Sequence, residues 1–454
     1  MNSTEHDVVG IGIGPSNLGL AALIDGAEAD LDALFLEQKP EFRWHQDMLI
    51  EGAALMNSIL GDLVTPVDPT NEYSFLNYLQ SQERFWEFYN YENFNIPRKE
   101  YDKYCRWAAN RIESCTFNRR VESVTETDGG DFLIEAREPD SEETFQYTAS
   151  TIVLGVGTQP HVPEPLSGHP EEDVFHSSQY LQRRNRSLDA DSITVIGSGQ
   201  SSAEIFLDLL RKQEGHDYQL DWLTRSDGFY PVDPSKMTRE LRTPDHIDYF
   251  YDLPTDVSKN RVGQQDLLYK GISPATSGAI YDTLYQRSVD GEPNVGMLAK
   301  TEITGIERAS DDRYRLDCVH WEEEEQFWTE SEVVVLATGY RRPTPTFLSP
   351  VMDDIELVEE GAFDIAEDFS IVTDSLEGDI FIHNGGMHAH GFNTADLSIG
   401  AYQSATIINS VLGREVYSVH EGSRFQSFGT DQFLADSPAS GLVEDDSLTV
   451  SPPK

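Results

Sequence analysis

The chain has 454 residues, of which 80 are acidic and only 33 are basic, giving a formal net charge of −47 at pH 7. That length is enough for two or three domains with a large core, and so negative a surface argues against nucleic acid as a partner because phosphate groups would be repelled. With 38% hydrophobic and 10% aromatic residues, the composition is that of a globular protein rather than a disordered one.

The acidic residues are spread along the whole chain, and lysine is scarcer than arginine. We interpret this as a salt-adapted (halophilic) surface, stable where concentrated cations screen its self-repulsion. Dialysis into low salt is then expected to unfold the protein or release its ligands, and unchanged thermal stability would contradict this hypothesis.

Three cysteines, Cys105, Cys115 and Cys318, form no CxxC pair and no zinc spacing, which predicts structural free thiols in a reducing compartment. No charged-then-apolar leader precedes the first predicted strand, and no apolar run approaches membrane-spanning length. The sequence therefore favours a cytoplasmic protein without membrane contact, and it leaves self-association into a homo-oligomer open.

The first predicted element is a buried strand over residues 7–11, followed by the glycine turn GIGPSN and an apolar helix from about Leu18. Glycine lets the backbone approach a pyrophosphate, and the free amides at a helix start favour its charge, so Gly14 is expected there with φ above zero. Asn17 stands where the third glycine of the fingerprint belongs. Twenty residues later the strand over 33–36 ends in Glu37, the position of a ribose-binding carboxylate.

Further elements follow in the first part of the chain. Helices are predicted from about Tyr73 and over 98–112, and strands over 117–124, 132–136 and 151–157. The proline-rich connection over 160–170 indicates a domain boundary.

A second glycine unit starts at Ser192, with the turn GSGQSS and a helix predicted over 203–212. Its next strand, over 219–223, ends in Thr224 and Arg225 rather than in an acid. An arginine at that strand end suits the 2′-phosphate of NADPH, the alternative being an ordinary solvated charge.

Beyond the second unit, residues 229–297 contain short helical runs, at 247–251 and 280–285, which indicate an insertion over the cleft between the two units. Strands are predicted over 298–308, 314–319, 333–340 and 379–382, a solvated hairpin tip over 322–325, and a helix over 397–412. The predicted fold is α/β, with two dinucleotide-binding (Rossmann-like) domains and a smaller, mainly helical substrate-binding insertion. The expected bounds are an FAD-binding domain over 1–165 and 341–417, an NADPH-binding domain over 166–232 and 298–340, the helical insertion over 233–297, and a flexible acidic tail over 418–454.

Two nucleotide sites, one ending in an acid and one in an arginine, predict FAD together with NADPH. A disulfide reductase would need a redox CxxC pair, which the sequence lacks. His388 and His390 have no third ligand at a suitable spacing, so no metal site is assigned. Dioxygen remains as the electron acceptor, which favours a flavin monooxygenase or an oxidase.

Six segments carry a specific resemblance: GIGPSN, FRWHQDM, DPTNEYSFLNYL, VIGSGQSSAEIF, VVVLATGY and HGFNTADLS. Over about residues 5–415 the chain resembles the lysine/ornithine N-monooxygenase family. The resemblance implies an enzyme that uses FAD, NADPH and dioxygen to hydroxylate a terminal primary amine, usually for hydroxamate siderophores. The amine must be neutral to act as a nucleophile, and a desolvated pocket that lowers its pKa provides this. No acid–base dyad is required, and no catalytic residue is assigned.

The resemblance also implies site residues. Those expected at FAD are Gly12, Gly14, Pro15, Asn17, Glu37, Trp44, His45, Met56, Val121, Ala395, Asp396 and Leu397. Those expected at NADPH are Gly197, Ser198, Gly199, Gln200, Ser201 and Arg225. Those expected at the substrate are Gly61, Arg239, Glu240, Ser277 and Ser398.

The chain departs from the family at positions that matter for the substrate. Met56 stands where the family has a glutamine beside the flavin, and Gly61 where it has a lysine that holds the carboxylate of an amino-acid substrate. The family's usual Asn or Asp before a glutamate is Arg239, and its Thr-Asn pair is Thr276-Ser277. Arg239 is either a replacement carboxylate clamp or an ordinary surface charge.

Three functions remain open. The first is N-hydroxylation of the side-chain amine of L-lysine. The second is the same reaction on a short diamine (diaminopropane, putrescine or cadaverine), which would explain Gly61. The third, supported only by Met56, is a flavoprotein that binds both cofactors without coupled hydroxylation.

Overall fold

The computed structural model describes residues 4–26, 31–141, 143–309, 312–358, 361–419 and 424–430. The strands, in chain order, are β1 (Thr4–Ile11), β2 (Ala33–Leu36), β3 (Cys115–Thr116), β4 (Arg120–Glu126), β5 (Phe132–Arg137), β6 (Thr144–Leu154), β7 (Gln159–Pro160), β8 (Val174–His176), β9 (Ser192–Ile196), β10 (Gln219–Leu223), β11 (Val295–Leu298), β12 (Thr301–Arg308), β13 (Tyr314–His320), β14 (Glu325–Ser331), β15 (Val333–Leu336), β16 (Tyr340–Arg341) and β17 (Asp379–Ile382). The α-helices are α1 (Pro15–Gly26), α2 (Phe75–Ser81), α3 (Phe85–Tyr91), α4 (Arg98–Ala109), α5 (Tyr180–Leu188), α6 (Gln200–Lys212), α7 (Lys236–Arg239), α8 (Pro244–Tyr251), α9 (Thr255–Gln264), α10 (Asp266–Tyr269), α11 (Pro274–Ser288), α12 (Met387–His390) and α13 (Gly400–Leu412).

The first sheet has the order β3-β2-β1-β6-β5-β4, and β17 also pairs with β6. The long strand β6 runs parallel to β1 on one side; on its other side the first half pairs antiparallel with β5 and the last four residues pair parallel with β17. Helices α1, α4 and α13 cover one face of this sheet. Residues 348–382 add a second apolar cluster on its other face, as expected for a sheet whose parallel strands are buried on both sides.

The second sheet is parallel throughout, with the order β11-β10-β9-β15-β8. Its central strands β9 and β15 are buried along their whole length. Helices α5, α6 and α11 contribute the apolar cluster on one face, and the antiparallel sheet β12-β13-β14 contributes the cluster on the other. The predicted α/β fold with two Rossmann-like domains is confirmed.

Both nucleotide helices begin one turn earlier than the sequence pattern predicts. Helix α1 starts at Pro15 rather than Leu18, and α6 starts at Gln200 rather than Ala203. Proline is favoured in the first helical turn because its fixed φ suits a helix and its missing N–H would have no partner there. Gly199 is the extended residue that precedes α6. The first helical amides therefore follow the glycine turns directly.

The single strand predicted over 298–308 is divided: residues 301–308 form β12, whereas Leu298 ends β11. Lys300 has a positive φ of 57°, and this break separates β11, which pairs with β10, from β12, which starts the antiparallel sheet. Strand β14 was missed because its sequence, EQFWTES, is largely polar. Of the hairpin tip predicted over 322–325, residues 322–324 lie between β13 and β14, and Glu325 begins β14.

Helices α7 to α11 lie between β10 and β11, in the region where the sequence predicts an insertion. The proposed domain bounds stay predictions. Of the predicted acidic tail, residues 418–419 and 424–430 are described, and 424–430 contact α7 and α8; residues 420–423 and 431–454 lie outside the described residues. In the described part of the chain no helix is long and apolar enough to cross a membrane.

The three cysteines are free thiols, as predicted. Burial raises the pKa of Cys115 and Cys318 to about 12, so neither is a nucleophile at neutral pH.

Candidate active site

The first glycine turn connects β1 to α1 and contains two glycines with different constraints. Gly12 has φ of 89°, and a Cβ there would lie 2.7 Å from the carbonyl oxygen of Gly155. Gly14 has no positive φ, which corrects the expectation from sequence, and the nearest described atom to a Cβ at this position is the Gly155 oxygen at 3.8 Å. Gly12 is thus required by the fold, whereas Gly14 faces open space that a methyl group would fill.

Asn17 holds this turn in shape. Its side chain is fully buried and donates from Nδ2 to the carbonyls of Gly12 at 2.9 Å and Val153 at 3.2 Å. A Cβ on Gly155 would lie 2.4 Å from the amide of Asn17, so these two residues pack tightly. Asn17, which was predicted to contact FAD, therefore supports the backbone of the turn from below.

Glu37 lies next to the turn, at the end of β2. Its carboxylate accepts hydrogen bonds from the backbone N–H groups of Ile13 and Lys39, both at 3.0 Å, and only 8% of the residue is exposed. The carboxylate is therefore fixed at the end of β2, where a ribose hydroxyl is expected.

The second glycine turn repeats the arrangement of the first. Gly197 has φ of 132°, and a Cβ there would lie 2.3 Å from the Ala337 carbonyl oxygen, whereas a Cβ at Gly199 meets no described atom within 4 Å. The hydroxyl of Ser198 lies 2.8 Å from that of Ser226, which ties the turn to the end of β10. Arg225 is exposed beside this contact.

Two motifs that are distant in sequence meet between the two sheets. His45, in a left-handed conformation with φ of 44°, lies edge-on to Trp44 at 5.1 Å and to Tyr340 at 5.9 Å. Tyr340 also contacts His176 at 5.1 Å. Loss of hydration among these neighbours, followed by the nearby cations of Arg98 and Lys39, lowers the pKa of His45 to about 4. The ring is therefore neutral at pH 7.

A cavity of about 520 Å³ opens where the first domain, the second domain and the helical insertion meet. Met56, Gln200 and Arg239, three residues predicted at the site, line it together with Thr276. The Gln200 side-chain amide donates to Thr276 Oγ1 at 3.0 Å and accepts from the backbone N–H of Ser273 at 2.6 Å. Gln200 thus ties α6 to the start of α11.

A polar cluster centred on Asp396 adjoins this cavity. Asp396 accepts from Asn57 Nδ2 at 2.7 Å and from the Ser398 hydroxyl at 2.7 Å, and Arg242 Nε lies 3.5 Å from its second oxygen. Arg242 lines the cavity. Gly61 packs directly on this cluster, because a Cβ there would lie 2.6 Å from Ser398 Cβ and 2.8 Å from its Cα.

Two predicted substrate residues lie elsewhere. Thr276, not Ser277, is in the cavity wall. The carboxylate of Glu240 points to the C-terminal segment, where it accepts from the backbone N–H groups of Phe425 and Gln426 at 3.1 and 3.0 Å.

Four of the predicted FAD residues are placed by the fold as follows. Pro15 opens α1, Val121 belongs to β4 beside a bulge and packs on the first sheet, Ala395 ends a short 3₁₀ turn, and Leu397 starts the next one before α13. Ser201, expected at NADPH, is in the first turn of α6.

Three further residues of this region were not predicted from the sequence: Asn57, Arg242 and Arg98. Arg98 Nη1 lies 2.7 Å from Glu204 Oε2, and this buried ion pair joins α4 to α6. All three are polar residues next to predicted motifs, and only tertiary contacts distinguish them from surface groups.

The residues present fit two dinucleotides. The open faces of Gly14 and Gly199, each at the start of a helix, provide the close approach and the free amides that a pyrophosphate needs. In the described part of the chain no group of three or more His, Cys, Asp or Glu residues is arranged to hold a metal ion.

A family model described as L-lysine 6-monooxygenase/L-ornithine 5-monooxygenase matches residues 4–342. The chain belongs to the lysine/ornithine N-monooxygenase family. As a member of this family it is an N-hydroxylating monooxygenase, an oxidoreductase, as the sequence predicted.

Three members of the family with stated substrates are similar over almost the whole chain. The putrescine N-hydroxylase of Shewanella oneidensis is 38% identical over 457 residues, covering 100% of this chain and 90% of that one. The cadaverine monooxygenase of desferrioxamine biosynthesis from Erwinia amylovora, solved bound to FAD, has a TM-score of 0.90 and 36% identity over 94% of this chain and 99% of its own. The ornithine N-hydroxylase from Kutzneria sp. 744, solved with reduced FAD, NADP⁺ and L-ornithine, has a TM-score of 0.84 and 27% identity over 90% of this chain and 99% of its own.

Proposed function

We propose that this monooxygenase hydroxylates one terminal nitrogen of a short aliphatic diamine, such as putrescine, cadaverine or diaminopropane, for hydroxamate siderophore biosynthesis. FAD and NADPH are its cofactors. When bound, they supply the electrons and activate dioxygen. The chain's own residues hold the two cofactors, form the walls of the amine cavity and keep water out of it.

The contact between Gly61 and Ser398 is the observation that carries this choice of substrate. A lysine at position 61 would hold the carboxylate of an amino-acid substrate, but the 2.6 Å approach of a Cβ to Ser398 leaves no space for any side chain. A buried carboxylate without a cation is unfavourable by several kcal/mol, on the order of 3 or more. A diamine carries no carboxylate and needs no such cation.

The charges of the cavity and the similarities support the same choice. Its lining contains four carboxylates and three guanidinium groups, from Glu51, Glu204, Asp208 and Asp233 against Arg211, Arg239 and Arg242. Because Glu204 is already paired with Arg98, the remaining lining has three charges of each sign and no excess of cations that would exclude an amine. The relatives named for putrescine and cadaverine are 38% and 36% identical, against 33% for a relative named for L-lysine and 32% for one named for L-ornithine. The diamine, placed second to L-lysine by sequence alone, is therefore the better supported substrate.

The test is the amount of hydroxylamine formed per NADPH consumed, measured at high salt with putrescine, cadaverine, diaminopropane, L-lysine and L-ornithine. We expect coupled turnover with at least one diamine and little with either amino acid. Coupled turnover of L-lysine above that of every diamine would overturn the proposal. NADPH oxidation without hydroxylamine from any amine would instead favour the uncoupled flavoprotein that Met56 suggests.

Replacing Arg239 by alanine tests the same choice from the protein side. Arg239 is exposed in the cavity wall, where a guanidinium would attract a substrate carboxylate but repel the distal ammonium of a diamine. We expect diamine turnover by Arg239→Ala to hold steady or rise while flavin reduction by NADPH stays normal. Loss of most L-lysine turnover, in a protein whose parent turns L-lysine over, would instead identify Arg239 as a carboxylate clamp and L-lysine as the substrate.

Arg225 is expected to read the 2′-phosphate of NADPH. Support comes from its position beyond β10, where it is exposed next to the Ser198–Ser226 contact of the second glycine turn. Arg225→Ala should raise the KM for NADPH by roughly 10- to 100-fold, because a charge-assisted hydrogen bond contributes about 1.5–3 kcal/mol. The KM for NADH serves as the control, and an equal rise for both nucleotides would show that Arg225 does not contact the phosphate.

A further inference from the structure

Residues 424–430 form a short segment that lies along the outside of the helical insertion; we call it the C-terminal strap. Its backbone N–H groups at 425 and 426 donate to the Glu240 carboxylate at 3.1 and 3.0 Å. The side chain of Gln426 donates to the Met237 carbonyl at 2.6 Å. The strap therefore bonds to both ends of the turn formed by residues 237–240.

A second set of contacts joins the strap to α8. Arg424 Nε lies 3.2 Å from a carboxylate oxygen of Asp245, whose side chain is 4% exposed. The ring of Phe428 meets His246 edge-on at 5.1 Å and 88°, and the Arg424 guanidinium lies 5.0 Å above the same Phe428 ring. This side of the strap is thus anchored to buried groups.

His246 connects the strap to residues near the cavity. It is 3% exposed and packs on Phe392 at 5.9 Å. Phe392 begins the turn that leads to Asp396 and Ser398. The strap, α8 and the polar cluster around Asp396 are therefore one continuous chain of contacts.

The turn under the strap has no core contacts and is held by polar bonds, from the strap on one side and from Thr238 to Asp233 and Arg242 to the Leu268 carbonyl on the other. None of the residues 236–242 is buried, and Met237 is 62% exposed. Yet Arg239 and Arg242, which belong to this turn, line the cavity. A segment without core contacts opens easily unless polar bonds fix it.

We propose that the C-terminal strap is a positioning element of the amine site. It fixes the 236–242 turn from outside, so that Arg242 stays against Asp396 and the cavity wall stays closed to water. The inference rests on the proposed function for its link to the amine. Its structural part, the ordering of the turn by the strap, does not depend on the substrate.

The test compares two phenylalanines of the strap in the full-length holoenzyme. Phe428→Ala removes the contact with His246, whereas Phe425→Ala removes a ring that is 97% exposed and leaves the backbone bonds to Glu240 in place. For Phe428→Ala we expect the amine KM to rise about tenfold and coupling to fall, with FAD content and the KM for NADPH unchanged. Phe425→Ala should match the parent within about twofold, and Phe428→Tyr, which keeps the ring, should restore parental values.

Amide hydrogen exchange over residues 236–251 separates the two proposals. We expect faster exchange in Phe428→Ala than in Phe425→Ala, whatever the amine. Equal exchange, together with equal amine KM and coupling in the two variants, would overturn the role of the strap. If the parent turns over no amine, the proposed function fails, and the exchange data alone decide whether the strap orders the turn.

Discussion

Gly14→Ala is expected to purify without FAD. Its polypeptide should be as stable as the parent protein from which FAD has been removed. A Cβ at this position has no described neighbour closer than 3.8 Å, so it strains nothing in the protein. It fills the space over the first turn and keeps a pyrophosphate from the amides of α1. Losing two charge-assisted hydrogen bonds, each about 1.5–3 kcal/mol, would weaken FAD binding by roughly a hundredfold or more.

Gly199→Ala is the matched control, since a Cβ there also meets no described atom within 4 Å. This variant should stay yellow and lose affinity for NADPH instead. Flavin absorbance after purification and the KM for NADPH measure the two outcomes. A yellow Gly14→Ala variant, or a colourless Gly199→Ala variant, would contradict the assignment of the two turns.

Arg98→Met is expected to lower the free energy of unfolding by about 3–5 kcal/mol, because it leaves a buried carboxylate without its cation. The pair with Glu204 is short, at 2.7 Å, and the two side chains are 15% and 4% exposed. Arg308→Met is the control: its pair with Asp312 is 56% and 87% exposed, so its loss should leave the free energy of unfolding almost unchanged. Urea denaturation at high salt measures both variants.

The loss of unfolding free energy in Arg98→Met should depend on pH. Burial raises the pKa of Glu204, and Arg98 opposes that rise. Without the arginine, the carboxyl group of Glu204 binds a proton more tightly in the folded state than in the unfolded one. The stability of the variant should therefore recover as the pH falls through the pKa of the folded state, and decrease as the pH rises. Equal losses of unfolding free energy in Arg98→Met and Arg308→Met, or a loss that grows on acidification, would contradict a buried, unpaired Glu204 carboxylate as the cause.

Continuous apolar runs made much of the fold predictable. The strands β2 and β17 were placed to the residue because each contains an apolar run that ends at a polar residue, and β10 because its apolar and polar residues alternate before Thr224. Elements without that pattern were missed: β14 is polar, and α9 contributes only Ser258 to the interior. Their position is decided by the strands and helices they pack on rather than by their own composition.

The residues of the site also differ in whether a local sequence pattern reveals them. Both glycine turns and Arg225 could be located, since a local pattern of turn, helix and strand end defines them. The contact of Gly61 with Ser398 joins residues 337 positions apart, and the ion pair of Arg98 with Glu204 joins residues 106 apart. No local pattern in a single sequence encodes such contacts, so the absence of a lysine at position 61 was visible but its steric reason was not.

The two connections between the domains have a mechanical consequence. Strands β7 and β16, one from each connection, are paired antiparallel, Tyr340 with Pro160 and Arg341 with Gln159. Because the two crossings are hydrogen-bonded side by side, we expect a rotation of one domain against the other to hinge on this pair of strands. Because Tyr340 also contacts His45, such a rotation would alter the distance between the two motifs, so the fluorescence of the adjacent Trp44 could report domain opening.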